Sequence, residues 1–245
     1  MPAGTSLTVH QGDLTITQPG TVIDSLDVHG LVRIETTGVT VRDSVIRGRP
    51  VNSPTALVTV QAGSGATIVD STIVASTASP YLNGVQGAGF TLRRVEVANV
   101  IDQVHITGSD VRVVDSWLHG NAHFAQDPTR NGAPSHDDNV QIQVGARITI
   151  THNDLSGSHN AAIMLTQDAG RVSSLSISDN WLDDGTCVVN IKDQGPAPQG
   201  VALTDNTFGR GAVYPNCGIK VPNTTYPLEL QRNFFIDGVP VGRTA

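Results

Sequence analysis

Along this chain, hydrophobic and polar residues alternate in short runs separated by turn residues. One pattern recurs: apolar, any, apolar, any, a short polar pair, any, apolar. It occupies residues 39–46, 66–73, 90–97, 111–118, 148–155, 175–182, 201–208 and 228–235. Alternation of period two predicts β-strand, and recurrence every twenty-odd residues predicts a solenoid. The fifth positions fall at 43, 70, 94, 115, 152, 179, 205 and 232, at intervals of 27, 24, 21, 37, 27, 26 and 27 residues. The Asp-Ser, Asp-Asn and His-Asn pairs there mark where each coil turns. Asn and Asp tolerate left-handed backbone, and their side chains can ladder from coil to coil. Gly38, Gly65, Gly89 and Gly200 open coils. A second strand follows in each coil and aligns Val85, Val104, Val140, Ile163, Val189 and Ile219 as one inward stack. Outward on that strand fall Gln86, His105, Thr107, Gln141, Gln143, Met164, Thr166, Asn190, Lys192 and Lys220.

These coils resemble the right-handed parallel β-helices of the pectate-lyase-like superfamily, over residues from about 20 to 238. The resemblance implies an all-β, right-handed parallel β-helix of about eight coils, in a single domain over residues 1–245. An antiparallel β-sandwich would lack such regular self-similarity. The same register tests the two cysteines. Cys187 and Cys217 each stand two residues before an inward residue, Val189 and Ile219. They should stack in adjacent coils, roughly 4.8 Å apart, close enough for a disulfide. A disulfide fits a secreted, extracellular protein.

Composition narrows the partners. The net charge is −7, with no run of like charge, which argues against nucleic acid and against an anionic membrane surface. No apolar run approaches the ~18 residues of a membrane-spanning helix. Met1-Pro2-Ala3-Gly4 lacks the start of a signal peptide, so secretion is expected with the signal absent from this sequence. A monomer acting on a polysaccharide is the expectation.

The interval of 37 residues exceeds its neighbours, and the surplus lies in an insertion at 120–138. Solenoids place such insertions on one face, often the binding face. This one carries His123, Asp127, Arg130, His136, Asp137 and Asp138. Lys192 and Lys220 are the only lysines, and both fall on the outward face of the second strand, which predicts a local cationic groove for a polyanion. Asp102 and Asp138 align at the strand entrances of neighbouring coils. Two carboxylates so close repel each other, and three remedies are open: a cation such as Ca²⁺, a shared proton, or a nearby imidazolium or guanidinium. Trp117 and Trp181 share a repeat position and read as packing at the turns rather than as sugar platforms.

The resemblance implies a polysaccharide lying across one sheet and two kinds of chemistry. A lyase abstracts the C5 proton of a uronic acid and eliminates the 4-linked sugar. It needs groups that neutralise the carboxylate and a base near C5. His136 or Lys192 could be that base, with His105, Gln141, Gln143 and Lys220 on the carboxylate and Asn190 and Asp127 as further contacts. A hydrolase of the polygalacturonase type uses clustered carboxylates. Its Asn-Thr-Asp-Gly-hydrophobic-Asp strand resembles 136–141, with Asp138 on the first aspartate but Gln141 replacing the second. The next-coil acidic pair falls near His159 and Asn160 instead. The expectation is therefore a lyase of an anionic polysaccharide, with His136, Asp138, Lys192 and Asp102 catalytic. It needs no cofactor, or Ca²⁺ on Asp102 and Asp138. A hydrolase using Asp102 and Asp138 is the alternative, and a non-catalytic carbohydrate-binding solenoid the second.

Overall fold

The computed structural model describes residues 4–193 and 195–244. Three parallel sheets run the length of a right-handed β-helix. Sheet I has ten strands, from Thr8–Gln11 to Phe234–Phe235; sheet II has ten, from Leu14–Ile16 to Arg243–Thr244; sheet III has nine, from Val22–Asp24 to Leu228–Gln231. The regular structure thus extends past both ends of the 20–238 segment, and these strand counts exceed the eight marked repeats. The first coils are hidden in the sequence because Ser25 and Leu26 stand where Asp43 and Ser44 stand in the next coil, and the Leu26 amide donates to Ser44 Oγ. Among the described residues no helix is long and apolar enough to cross a membrane.

The recurring pattern folds as two strands about a corner, the first in sheet III and the second in sheet I. The cause is local. Every fifth position has positive φ, from 49° at Arg232 to 60° at Asp205, and one left-handed residue bends the chain sharply. Inside this corner the next side chain ladders. The Nδ2 groups of Asn153, Asn180 and Asn206 donate to the Oδ1 atoms of Asn180, Asn206 and Asn233, at 3.0, 2.9 and 2.9 Å. The same groups also reach the carbonyls of Val113, Ile150 and Ile177. Buried amides are tolerated here because both their donors and their acceptors find partners.

The inward stack is as aligned: Val85, Val104, Val140, Ile163, Val189 and Ile219 are successive partners in sheet II, all fully buried. Burying each such side chain contributes about 1.5–3 kcal/mol, so a core of β-branched residues holds the coils without many aromatics. Cys187 and Cys217 are bonded, with Cα atoms 4.9 Å apart. On the outward column Met164 and Thr166 are buried, so this face is covered in part rather than open along its whole length.

Candidate active site

Where the insertion leaves sheet I and enters sheet II, the regular coil is broken. Its outer part is a short 3-10 turn, Pro128–Arg130, capped by Asp127, whose carboxylate accepts from the Thr129 amide and hydroxyl at 2.7 Å each. Its base is pinned by buried amides: Asn139 Nδ2 donates to Gln103 Oε1 and Asn121 Oδ1, at 2.8 and 2.9 Å. Asn121 Nδ2 in turn donates to the carbonyls of Ile101 and Asp138.

A cleft of about 360 Å³ opens between this loop and the earlier coils. Asn83, Asp102 and Gln141 line it from sheet II and its entrance, Tyr81 from the preceding loop, Arg130 and His136 from the insertion, and Asp168 and Lys192 from later coils. Of the residues singled out in the sequence, Asp102, Asp127, Arg130, His136, Gln141 and Lys192 converge here. Tyr81 and Asp168 were missed. No repeat position marks them, and only the closing of the coils brings them beside the insertion.

Two features define the cleft chemically. Arg130 is half-buried and its Nε has no hydrogen-bond partner, while Lys192 holds only a loose ion pair with Asp168, at 3.7 Å. Burial, followed by the charges of Arg130 and Lys192, lowers the His136 imidazole below its ordinary value. The cleft therefore sets two cations beside an imidazole whose protonation they disfavour.

The carboxylates behave differently from the expectation. Asp138 is fully buried and does not line the cleft. Burial first, and then the neighbouring Asp102 charge, push its carboxyl well above the usual range. Its Oδ1 accepts from Asn160 Nδ2 at 2.7 Å, and its Oδ2 has no partner. The sequence reading made Asp138 a catalytic group; the structure seals its carboxyl behind the cleft wall, where it does not meet a bound polymer. Asp102 Oδ1 accepts the Asp138 amide at 3.2 Å and its Oδ2 binds His105 Nδ1 at 2.9 Å. The imidazole on Asp102 relieves part of the repulsion, and the raised Asp138 carboxyl favours its neutral form. A Ca²⁺ ion needs six to eight oxygen ligands, and three of the four carboxylate oxygens are already committed, so this pair does not fit one.

Asp127, read as a substrate contact, lines the cleft but spends its Oδ1 on the cap. His105 lies on the outward face beside Gln141. It is held by Asp102 and Gln143, and its imidazole is raised overall by these partners against an opposing effect of burial, the largest single influence. Asn190 and Lys220 are partners farther along the same column and do not line the cleft, nor does Gln143.

Asp137, also fully buried, anchors the insertion. Its Oδ1 binds His123 Nδ1 and its Oδ2 binds His159 Nδ1, both at 2.8 Å, and Oδ2 also accepts the His159 amide at 2.9 Å. Among the described residues this is the one group close enough to hold a metal ion, its ligand atoms lying within 4.8 Å. The two rings stack at 4.1 Å, and each Nδ1 is hydrogen-bonded to its own oxygen of Asp137. The trio reads as a latch between the insertion and the next coil.

No protein-family model matches the chain, and no curated protein matches it by sequence. Among solved structures, the A-module of the mannuronan C-5 epimerase AlgE6 of Azotobacter vinelandii aligns with a TM-score of 0.63 at 12% identity, over 93% of this chain and 61% of that one. The chain therefore spans about three fifths of that module's length. The catalytic unit of a GH87 alpha-1,3-glucanase from Streptomyces thermodiastaticus aligns at 0.49 and 15% identity, over 93% and 46%. The Dettilon tailspike protein aligns at 0.48 and 13%, over 97% and 62%. At these identities the likeness is one of fold: the chain is a right-handed parallel β-helix protein.

Proposed function

We propose that this protein is a secreted enzyme acting on a uronic-acid polysaccharide by abstracting the C5 proton, with β-elimination as the outcome. The observation that carries the reading is the convergence of Arg130 and Lys192 with His136 on one cleft, where their charges and burial hold the imidazole below its ordinary value. Arg130 and Lys192 neutralise the uronate carboxylate and so stabilise the charge that builds up when C5 loses its proton. His136 takes that proton. The C5–H electron pair forms the C4–C5 double bond, the C4–O bond breaks, and the leaving oxygen gains a proton from the Tyr81 hydroxyl, which solvent restores. Gln141 and Asn83 hydrogen-bond sugar hydroxyls along the floor. The disulfide supports an extracellular setting. The sealed Asp138 and the hydrogen-bonded Asp102 speak against a hydrolase that relies on them as its carboxylate pair.

A second reading has its own support. The epimerase module named above acts, as its name states, at C-5 of mannuronan. The same base and clamp would serve epimerisation, in which a proton returns to the opposite face of C5 and the C4–O bond stays intact.

The test offers alginate, polygalacturonate and glucuronan, each with and without EDTA. It follows the unsaturated-uronate absorbance, the reducing ends, and deuterium uptake at C5 in D₂O. A joint rise of absorbance and reducing ends, abolished in His136→Ala, is the expected result. Deuterium uptake without new ends would make the protein an epimerase. Reducing ends without the absorbance would overturn proton abstraction altogether.

A further inference from the structure

The outward column of sheet I carries a second regularity. Glu96, Trp117, Asp154, Trp181, Thr207 and Phe234 are successive partners in neighbouring coils. From Trp117 onward an aromatic ring recurs at every second coil, with a hydrogen-bonding side chain between. Trp117 is 48% and Phe234 42% exposed, while Trp181 is half-buried, so of the two tryptophans expected to pack at the turns Trp117 instead stands open. His119 stacks on one face of Trp117, at 3.5 Å and 15°, and leaves the other face open. Between the two tryptophans lies an open groove of about 410 Å³, lined also by Asp115, His152, Asp154 and Asp179.

We infer that this face is a binding track for a neutral, extended polysaccharide, separate from the cleft at the insertion. Two coils are roughly 9–10 Å apart, about the length of a disaccharide unit in an extended pyranose chain, so successive rings would meet equivalent sugar faces. The apolar face of a pyranose ring stacks on an indole as other flat apolar groups do. Carboxylates between the rings accept hydrogen bonds from sugar hydroxyls. The charge decides the ligand class. Asp115, Asp154 and Asp179 make the groove acidic, and its one imidazole, on His152, is bound to Asp115 at 2.6 Å. A polyuronate would be repelled where a neutral glycan would not. The cleft and the track thus select opposite ligands, and the track would hold the enzyme on a neutral matrix.

Affinity electrophoresis through gels containing glucomannan, hydroxyethylcellulose or arabinoxylan, with alginate and polygalacturonate gels alongside, tests this. The protein should be retarded in at least one neutral gel and in none of the anionic ones by this face. Trp117→Ala or Trp181→Ala should each weaken retention by roughly tenfold, and the double variant should run free. Circular dichroism and an unchanged thermal midpoint would confirm that the variants fold. His136→Ala should be retarded as the parent is, so failure of the track and failure of the proposed reaction are read separately. Free migration in every neutral gel, or equal retention of parent and double variant, would overturn the inference. So would a parent that sediments as a dimer and a double variant that sediments as a monomer, which would assign the face to a second copy of the chain.

Discussion

At the corner between sheets III and I, Asn153, Asn180, Asn206 and Asn233 repeat one arrangement coil after coil, and each donor finds an acceptor in the next. At the entrance to sheet II, Asp102, Asp137, Asp138 and Asn139 are as deeply placed, yet no two of them make the same contacts. There a carboxyl oxygen of Asp138 and the Oδ1 of Asn139 are left without partners, and so is the Arg130 Nε nearby. Both corners bury polar groups, which costs free energy unless hydrogen bonds offset it. The regular corner offsets the cost fully and therefore stabilises. The irregular corner leaves part of it unmet, in the place where a loop, two cations and a neutral imidazole face solvent. Saturation reads as scaffold and incompleteness as site, and the contrast can be broken experimentally from either end.

The largest effect expected is on activity. His136→Ala should lower kcat by about 10²–10⁴-fold, the usual worth of a general base, with little change in thermal midpoint. A large drop in midpoint would move His136 to the scaffold. In the parent, kcat/KM should fall on acidification only below the ordinary imidazole value, because the His136 imidazole is lowered; an acid limb above that value would exclude it as the base.

Asn180→Ala should do the reverse. It removes the bonds to Ile150 and Asn206 and takes away the Asn180 Oδ1 that accepts from the Asn153 backbone N–H and side chain, a loss of about 2–3 kcal/mol. Calorimetry should show a fall of several degrees, while turnover per folded molecule stays level. Equal damage to both would erase the distinction between the corners.

A smaller effect is expected from Asp138→Asn. The folded carboxyl is raised, so the folded state holds a proton that the unfolded chain has released above its ordinary value near 3.8. In that window stability falls as pH rises, since the native state binds more protons. The amide variant lacks this dependence. Its midpoint relative to the parent should climb as pH rises above the ordinary value near 3.8, and a constant difference there would show that Asp138 is ionised in the fold.

The smallest effect belongs to the outer rim. Arg232 pairs with Asp205 across the turn, in the open, and exposed pairs of this kind contribute little. Arg232→Ala should leave both midpoint and activity within error, so a measurable loss would show that the rim and not the asparagine ladder holds the corner.

Much of this contrast can be read in the linear chain. Asp and Asn at the fifth and sixth pattern positions announce the left-handed bend and the ladder, because both depend on residues local to the turn or one coil away. The inward valines and the Cys187–Cys217 bond follow from the same period. The interval of 37 residues points to the insertion, and the insertion does line the cleft. Individual roles were less legible. Asp138 carries the composition of a catalytic residue but turns inward, and Trp117 carries that of a packing residue but turns outward, since a shift of one position between faces is invisible without knowing where the strand starts.

What the sequence determined by itself is therefore periodic: the strands, their register, the corner ladder, the disulfide and the place where the repeat breaks. These rest on neighbours one turn apart, whose spacing the chain states directly. Only the tertiary structure decided which charges meet solvent. The partners of Asp102, Asp137 and Asp138 come from His105, His123, His159 and Asn160, and the cleft gathers Tyr81, Arg130, His136 and Lys192 from three separate segments, two of the four residues from the insertion. Burial and protonation depend on that three-dimensional company, and a repeat, however regular, does not encode it.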